Sequence, residues 1–129
     1  MAYSILVAED EPNIVLSLQF IMKKAGFDVR VAEDGEQAIR EIEDQIPDAL
    51  LLDIMLPKKD GFAVCEAIKS KPAWAGIKVI VLTAKSRDTD KQRALDLGAD
   101  DYITKPFSTR ELVDRLTELL GTPATLAEK

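Results

Sequence analysis

The alternation of apolar runs and helical stripes along this chain predicts a doubly wound α/β domain, one parallel sheet with helices on both faces. Three observations carry that prediction. Residues 4–8, 48–52 and 77–82 are short, largely apolar runs without the polar alternation of a half-exposed strand, as expected for strands buried on both faces. Between them, apolar residues recur at helical spacing in segments closed by Gly or Pro. The two kinds of segment alternate, five strands with five helices, which demands parallel pairing through right-handed crossovers.

Residues 4–8 (Ser-Ile-Leu-Val-Ala) form the first strand, which stops at the acidic Glu9-Asp10-Glu11. Pro12 suits the first turn of a helix, where its missing N–H is not needed. Ile14, Val15, Leu18, Ile21, Met22 and Ala25 give that helix its stripe, and Gly26 ends it. Residues 27–31 alternate as a second strand, and Asp34 with Gln37 resembles a capping box opening a helix whose stripe is Ala38, Ile39, Ile42 and Ile46. Residues 48–52 are the third strand, with Asp53 at its end. After a polar turn at 57–60, Asp60-Gly61 opens a third helix through Ile68, and 71–76 is a loop. Residues 77–82 form the fourth strand, ending at Thr83. The following segment, 85–97, is polar for two turns and is the weakest helix; Gly98 stops it. Residues 101–104 are a brief fifth strand before Lys105-Pro106. A capping box of Ser108 and Glu111 then opens a last helix built on Leu112, Val113, Leu116, Leu119 and Leu120. The domain is expected over 1–121, with 122–129 a short tail.

Composition narrows the function. The chain has 129 residues, 47% hydrophobic and 31% charged, as in ordinary globular domains. A net charge of −6 argues against direct nucleic-acid binding or attachment to anionic membrane, and no run approaches the roughly 20 apolar residues of a membrane span. A single cysteine and the lack of a signal-like start suggest a reducing, cytoplasmic setting. With no histidine and one cysteine, zinc sites and histidine triads are excluded, so any metal must be oxygen-ligated, which favours magnesium, manganese or calcium.

In a parallel sheet all C-terminal strand ends share one edge, where ligands bind. Glu9 and Asp10, Asp53, Thr83 and Lys105 all fall there. Each has a plain alternative: Asp10 could equally cap a helix, Thr83 could be a solvated strand end and Lys105 an ordinary surface lysine. A charged residue ending so apolar a strand makes Asp53 either a loop cap or a group facing a cation, since a lone buried carboxylate costs several kcal/mol. Three clustered acids repel, which favours a divalent cation between them. Lys105, before Pro106, is placed to aim its ammonium at the same cluster.

These residues resemble the receiver domain of two-component response regulators from about Tyr3 to about Leu120. The carrying pieces are Glu9-Asp10, Asp53 within Leu-Leu-Asp-Ile-Met-Leu-Pro, Asp60-Gly61, Val-Leu-Thr83-Ala84 and Gly-Ala-Asp-Asp-Tyr102-Ile-Thr-Lys105-Pro106-Phe107. The resemblance implies a flavodoxin-like, three-layer fold with strand order 2-1-3-4-5. It implies that Asp53 accepts a phosphoryl group from the phosphohistidine of a histidine kinase or histidine phosphotransfer protein. Magnesium (or manganese) would be held by Asp10, Asp53 and the Met55 carbonyl, with Glu9 acting through water. Lys105, Thr83 and the Ala84 N–H would neutralise the phosphoryl oxygens. Tyr102 would turn inward when Thr83 is drawn to the phosphoryl group, and hydrolysis past Met55 and Lys85 would reset the switch. One departure is visible: the family most often has two aspartates where this chain has Glu9-Asp10.

The stretch Ala-Asp-Asp-Tyr-Ile-Thr-Lys-Pro-Phe-Ser resembles receivers of the winged-helix transcription-factor subfamily, with stand-alone single-domain regulators the other near likeness. The winged-helix likeness implies phosphorylation-favoured homodimers through reciprocal contacts such as Lys91 with Glu111 and Asp101 with Arg115. A signalling module rather than an enzyme is therefore expected. An aspartyl-nucleophile phosphatase of the haloacid-dehalogenase type needs a second aspartate two residues on, where this chain has Met55. A flavin-binding domain would need a Ser/Thr/Gly phosphate loop where Glu9-Asp10-Glu11 stands. A non-phosphorylated pseudo-receiver is the remaining alternative.

Overall fold

Leu50, Leu51 and Leu52 are wholly buried, although in a strand they point to alternate faces. The reason is their place in β3 (Ala49–Asp53), the central strand, whose two faces are both covered. The computed structural model describes residues 3–56, 58, 60–84, 88–105 and 107–120. Besides β3, the sheet contains β1 (Ser4–Ala8), β2 (Asp28–Ala32), β4 (Lys78–Ala84) and β5 (Asp101–Lys105). All pair in parallel, in the order β2-β1-β3-β4-β5. This is the flavodoxin-like doubly wound sheet. The order reverses beside β1 and β3, the place where such sheets bind ligands.

The helices α1 (Pro12–Lys24), α2 (Gly35–Asp44), α3 (Gly61–Ser70), α4 (Asp88–Asp96) and α5 (Thr109–Leu120) cover the sheet. One buried cluster joins Leu6, Leu50, Leu52, Val79 and Val81 to Ala38 and Ile42 of α2, Val64, Cys65 and Ile68 of α3, and Ala94 of α4. The other joins Ile5, Val7, Leu51, Ile80 and Leu82 to Leu18 and Met22 of α1 and Leu112 and Leu116 of α5. No helix among the described residues is long and apolar enough to cross a membrane.

Local signals explain most helix ends. Asp34 Oδ1 accepts the Gln37 N–H at 2.7 Å, while Gln37 Oε1 accepts the Glu33 N–H at 3.0 Å, so the reciprocal bond reaches one residue further back than a simple capping box. Asp60 Oδ1 caps α3 through the Ala63 N–H at 2.9 Å, and Ser108 Oγ accepts the Glu111 N–H at 3.0 Å. Gly26 and Gly98, at φ 97° and 103°, follow α1 and α4 in the left-handed region that favours glycine. α2 ends with an acidic last turn and no glycine. Instead, Arg30 reaches over from β2 to the Glu41 carbonyl at 3.0 Å and the Gln45 carbonyl at 2.5 Å.

Several expected boundaries move. β2, β3 and β4 each begin one residue later than expected, and β4 runs on through Thr83 and Ala84. Thr83 is therefore a buried strand residue rather than a solvated strand end. Ile46 is not part of the α2 stripe: the helix stops at Asp44, and Ile46 is 50% exposed. The loop at 71–76 contains a 3-10 turn, Pro72–Trp74, which buries Trp74. The expectations on Pro57, Lys85, the beginning of the α4 segment at 85–87, Pro106 and the tail at 122–129 lie outside the described residues.

Candidate functional site

The parallel register aligns the strand ends on one edge. Asp53 pairs with Leu82, so Thr83 lies one residue beyond it on the neighbouring strand, and Ala84 pairs with Lys105. Glu9 directly follows β1, its N–H donating to the Ala32 carbonyl at 3.0 Å. Lys105 lies two strands from Asp53, a span of roughly 10 Å between backbones. The Lys105 and Asp53 side chains close it by reaching toward each other. Lys105 Nζ donates to Asp53 Oδ2 at 3.1 Å and to Glu9 Oε1 at 2.9 Å.

Glu9, Asp10 and Asp53 each place a carboxylate oxygen within 4.8 Å of the others. Glu9 and Asp53 are buried, and Asp10 is exposed. Burial, and then hydrogen bonding and repulsion from Asp53, push the Glu9 carboxyl up to about 8 against the opposing pull of Lys105. Burial acts to raise Asp53 as well. There it is outweighed by the Glu9 carboxyl as hydrogen-bond donor, by the Met55 N–H on Oδ1 at 3.1 Å and by Lys105, so Asp53 stays below its ordinary value. Burial works to lower the Lys105 ammonium, but Glu9 and Asp53 outweigh it and hold the group protonated. Two carboxyls in one pocket thus have opposite shifts, Glu9 upward and Asp53 downward.

Two buried oxygens at this edge, Glu9 Oε2 and Thr83 Oγ1, have no hydrogen-bond partner among the described residues. Unpartnered buried oxygens are uncommon in folded proteins and require an explanation, such as a bound ion or water. An all-oxygen donor set built on Asp10 and Asp53, with the unpartnered Glu9 oxygen beside them, fits a hard divalent cation. Backbone support for Asp53 comes from a feature that sequence reasoning did not anticipate. A Cβ on Gly61 would lie 2.6 Å from Ile54 Cα and 2.7 Å from the Asp53 carbonyl oxygen, so α3 begins in direct contact with the end of β3.

Of the remaining sequence-derived candidates, Met55 is 64% exposed beside Asp53, and Tyr102 is half-buried on β5 and packs on the core. Lys91 sits with Nζ 5.3 Å from the Tyr102 ring centroid. Arg115 Nη1 binds Asp101 Oδ2 at 2.5 Å within the same chain, and Glu111 is exposed at the beginning of α5.

The model of the response regulator receiver domain matches residues 5–117 of this sequence, and the chain belongs to that family. A receiver is a signalling domain of two-component systems. Among curated proteins, the alkaline phosphatase synthesis transcriptional regulatory protein PhoP of Bacillus subtilis is 44% identical over 120 residues, covering 93% of this chain and 49% of that protein. The chain therefore spans about half the length of this relative. Among solved structures, a putative response regulator from Chloroflexus aurantiacus superposes with a TM-score of 0.90 at 32% identity, covering 93% of this chain and 98% of the other. The receiver domain of a sensor histidine kinase from Pseudomonas aeruginosa PAO1, solved with magnesium coordinated in its active site cleft, superposes with a TM-score of 0.86 at 32% identity (94% and 99% covered).

Proposed function

We propose that this domain is a phosphorylation switch in which Asp53 receives a phosphoryl group from the phosphohistidine of a partner histidine kinase or histidine phosphotransfer protein. The observation that carries the reading is Lys105 Nζ bridging Glu9 and Asp53 beside the two unpartnered oxygens, Glu9 Oε2 and Thr83 Oγ1. A buried carboxylate kept ionised by a fixed ammonium is a prepared nucleophile. An Asp53 oxygen forms the new P–O bond as the P–N bond to the donor imidazole breaks, and the departing nitrogen keeps the electron pair and takes a proton. Lys105 offsets charge on the phosphoryl oxygens, and the Thr83 hydroxyl with the Ala84 N–H donates to them.

Asp10, Asp53 and the Met55 carbonyl would hold magnesium or manganese, with Glu9 acting through water. The bound cation supplies further charge neutralisation at the transferring phosphoryl group. Attack of water on phosphorus breaks the P–O bond to Asp53 and restores the carboxylate, with inorganic phosphate released. No outside substrate is turned over. Drawing Thr83 toward the phosphoryl group leaves room for Tyr102 to turn inward, and the face of α4, β5 and α5 changes with it. With a second copy, Lys91 and Glu111 provide one reciprocal charge pair, and Asp101 and Arg115, bonded to each other within one chain, provide another by exchanging partners in a phosphorylation-favoured homodimer. The B. subtilis relative, a transcriptional regulatory protein, supports a transcriptional output of the switch, without direct nucleic-acid contact by this acidic domain. The reducing cytoplasm is the compartment where such a kinase partner would meet it.

Incubation with acetyl phosphate and magnesium, read by intact mass, tests the nucleophile. One added phosphoryl group is expected on the wild type and none on Asp53→Asn. No gain in the wild type, or an equal gain in the variant, ends the proposal. Sedimentation with and without beryllofluoride tests the dimer; a monomer in both at high micromolar concentration rejects it.

A further inference from the structure

Helix α4 is attached to the domain in an unusual way. Among its described side chains Ala94 is buried while Gln92, Arg93, Leu95 and Asp96 are exposed, so these side chains form no wide apolar stripe of the kind that normally seats a surface helix. Two cations flank it instead. The Arg93 guanidinium lies 4.2 Å from the ring centroid of Phe62 on α3, and Lys91 Nζ lies 5.3 Å from that of Tyr102 on β5. Both distances are inside the roughly 6 Å at which the negative face of an aromatic ring attracts a cation. The two rings differ in freedom. Phe62 is 7% exposed and fixed in the core, whereas Tyr102 is half-buried at the edge of its cluster.

We infer that Lys91 is a positioning residue for the switch: its ammonium over the Tyr102 ring, together with the Arg93 guanidinium over Phe62, holds α4 and Tyr102 in the resting arrangement. A turn of Tyr102 that carries its ring away from Lys91 breaks this contact, so the contact opposes such a turn. The Arg93–Phe62 contact does not depend on Tyr102 and anchors the other flank of the helix. Only the consequence for signalling rests on the switch reading given above; the clamp itself stands on contacts present at rest.

The chain has two tyrosines, Tyr3 and Tyr102, so fluorotyrosine labelling gives two fluorine resonances. In unphosphorylated protein, Lys91→Met is expected to shift the Tyr102 resonance and to speed amide exchange along α4 by about 2- to 5-fold, as loss of a partly exposed cation–ring contact implies. Lys91→Arg keeps a cation over the ring and is expected to leave both near wild type. Lys, Met and Arg have nearly equal helix propensity, so a merely structural role would not separate the two variants. Arg93→Met should speed exchange in α4 without moving the Tyr102 resonance. If Lys91→Met and Lys91→Arg behave alike, changed or unchanged, the clamp is overturned. The switch reading is judged separately, on the wild type with beryllofluoride: a Tyr102 resonance that stays in place there removes that reading and leaves the resting-state result to stand.

Discussion

Helices α3 and α4 flank the same cluster of the core, yet they are attached by opposite means. α3 is capped by Asp60, touches the β3 backbone at Gly61 and buries Phe62, Val64, Cys65 and Ile68. Among its described side chains α4 buries Ala94 and exposes Gln92, Arg93, Leu95 and Asp96, and it is flanked by cations over rings. Apolar packing is lost steeply when a helix shifts, because an interior is close-packed and leaves no room for small slides. Polar surface contacts exchange with water at little cost. The contrast therefore places rigidity on the α3 side, which holds the end of β3, and compliance on the α4 side.

The largest expected effect tests the edge on which both flanks meet. Glu9 binds its proton more tightly in the folded chain, at about 8 against 4.5 for the free group. Between those values the folded state holds more protons than the unfolded one, so stability falls as pH rises through that window. Asp53, lowered from 3.8, contributes the opposite way: its stabilisation is present above 3.8 and is lost as pH falls through its lowered folded value. The urea midpoint of chelator-treated protein should drop from pH 5 to pH 8.5, and Glu9→Gln should flatten the profile; a midpoint that climbs with pH contradicts the assignment. Next comes the rigid flank. Ile68→Ala deletes a wholly buried side chain of α3 and should cost about 2–5 kcal/mol in urea unfolding. Gly61→Ala sets a methyl group against backbone that cannot yield, and a loss of about 1–3 kcal/mol is expected. The smallest effect belongs to the compliant flank: Leu95→Ala, at a side chain 39% exposed, should stay within about 0.5 kcal/mol. Equal losses for Ile68→Ala and Leu95→Ala would erase the contrast.

The strands and most helix ends were legible because short-range chemistry determines them. Asp34, Asp60 and Ser108 cap the helices that their side chains announce, and the leucines of β3 read as doubly buried. The convergence of Glu9, Asp10, Asp53, Thr83 and Lys105 was also legible, since parallel strands put their C-terminal ends on one edge. What escaped depends on contacts distant in sequence. Ile46 fits a helical spacing, but α2 ends before it; Trp74 is drawn into the core by a 3-10 turn that its loop composition hides. No local pattern reveals that Gly61 abuts Asp53, or that Lys91 and Arg93 lie over rings on different elements.

The reach of Lys105 bears on how the chain is made. Its two bonds close loops of 96 and 52 residues, from the last strand back to the first and the third. A chain emerging from the ribosome can build β1 to β4 and still lack the ammonium that holds Asp53 ready. A one-residue slip of β5 would turn Lys105 to the opposite face of the sheet. The Lys105 contacts to Glu9 and Asp53 are thus withheld until the sheet is complete and in register, so under the proposed function a partial or misthreaded chain would have no prepared acceptor.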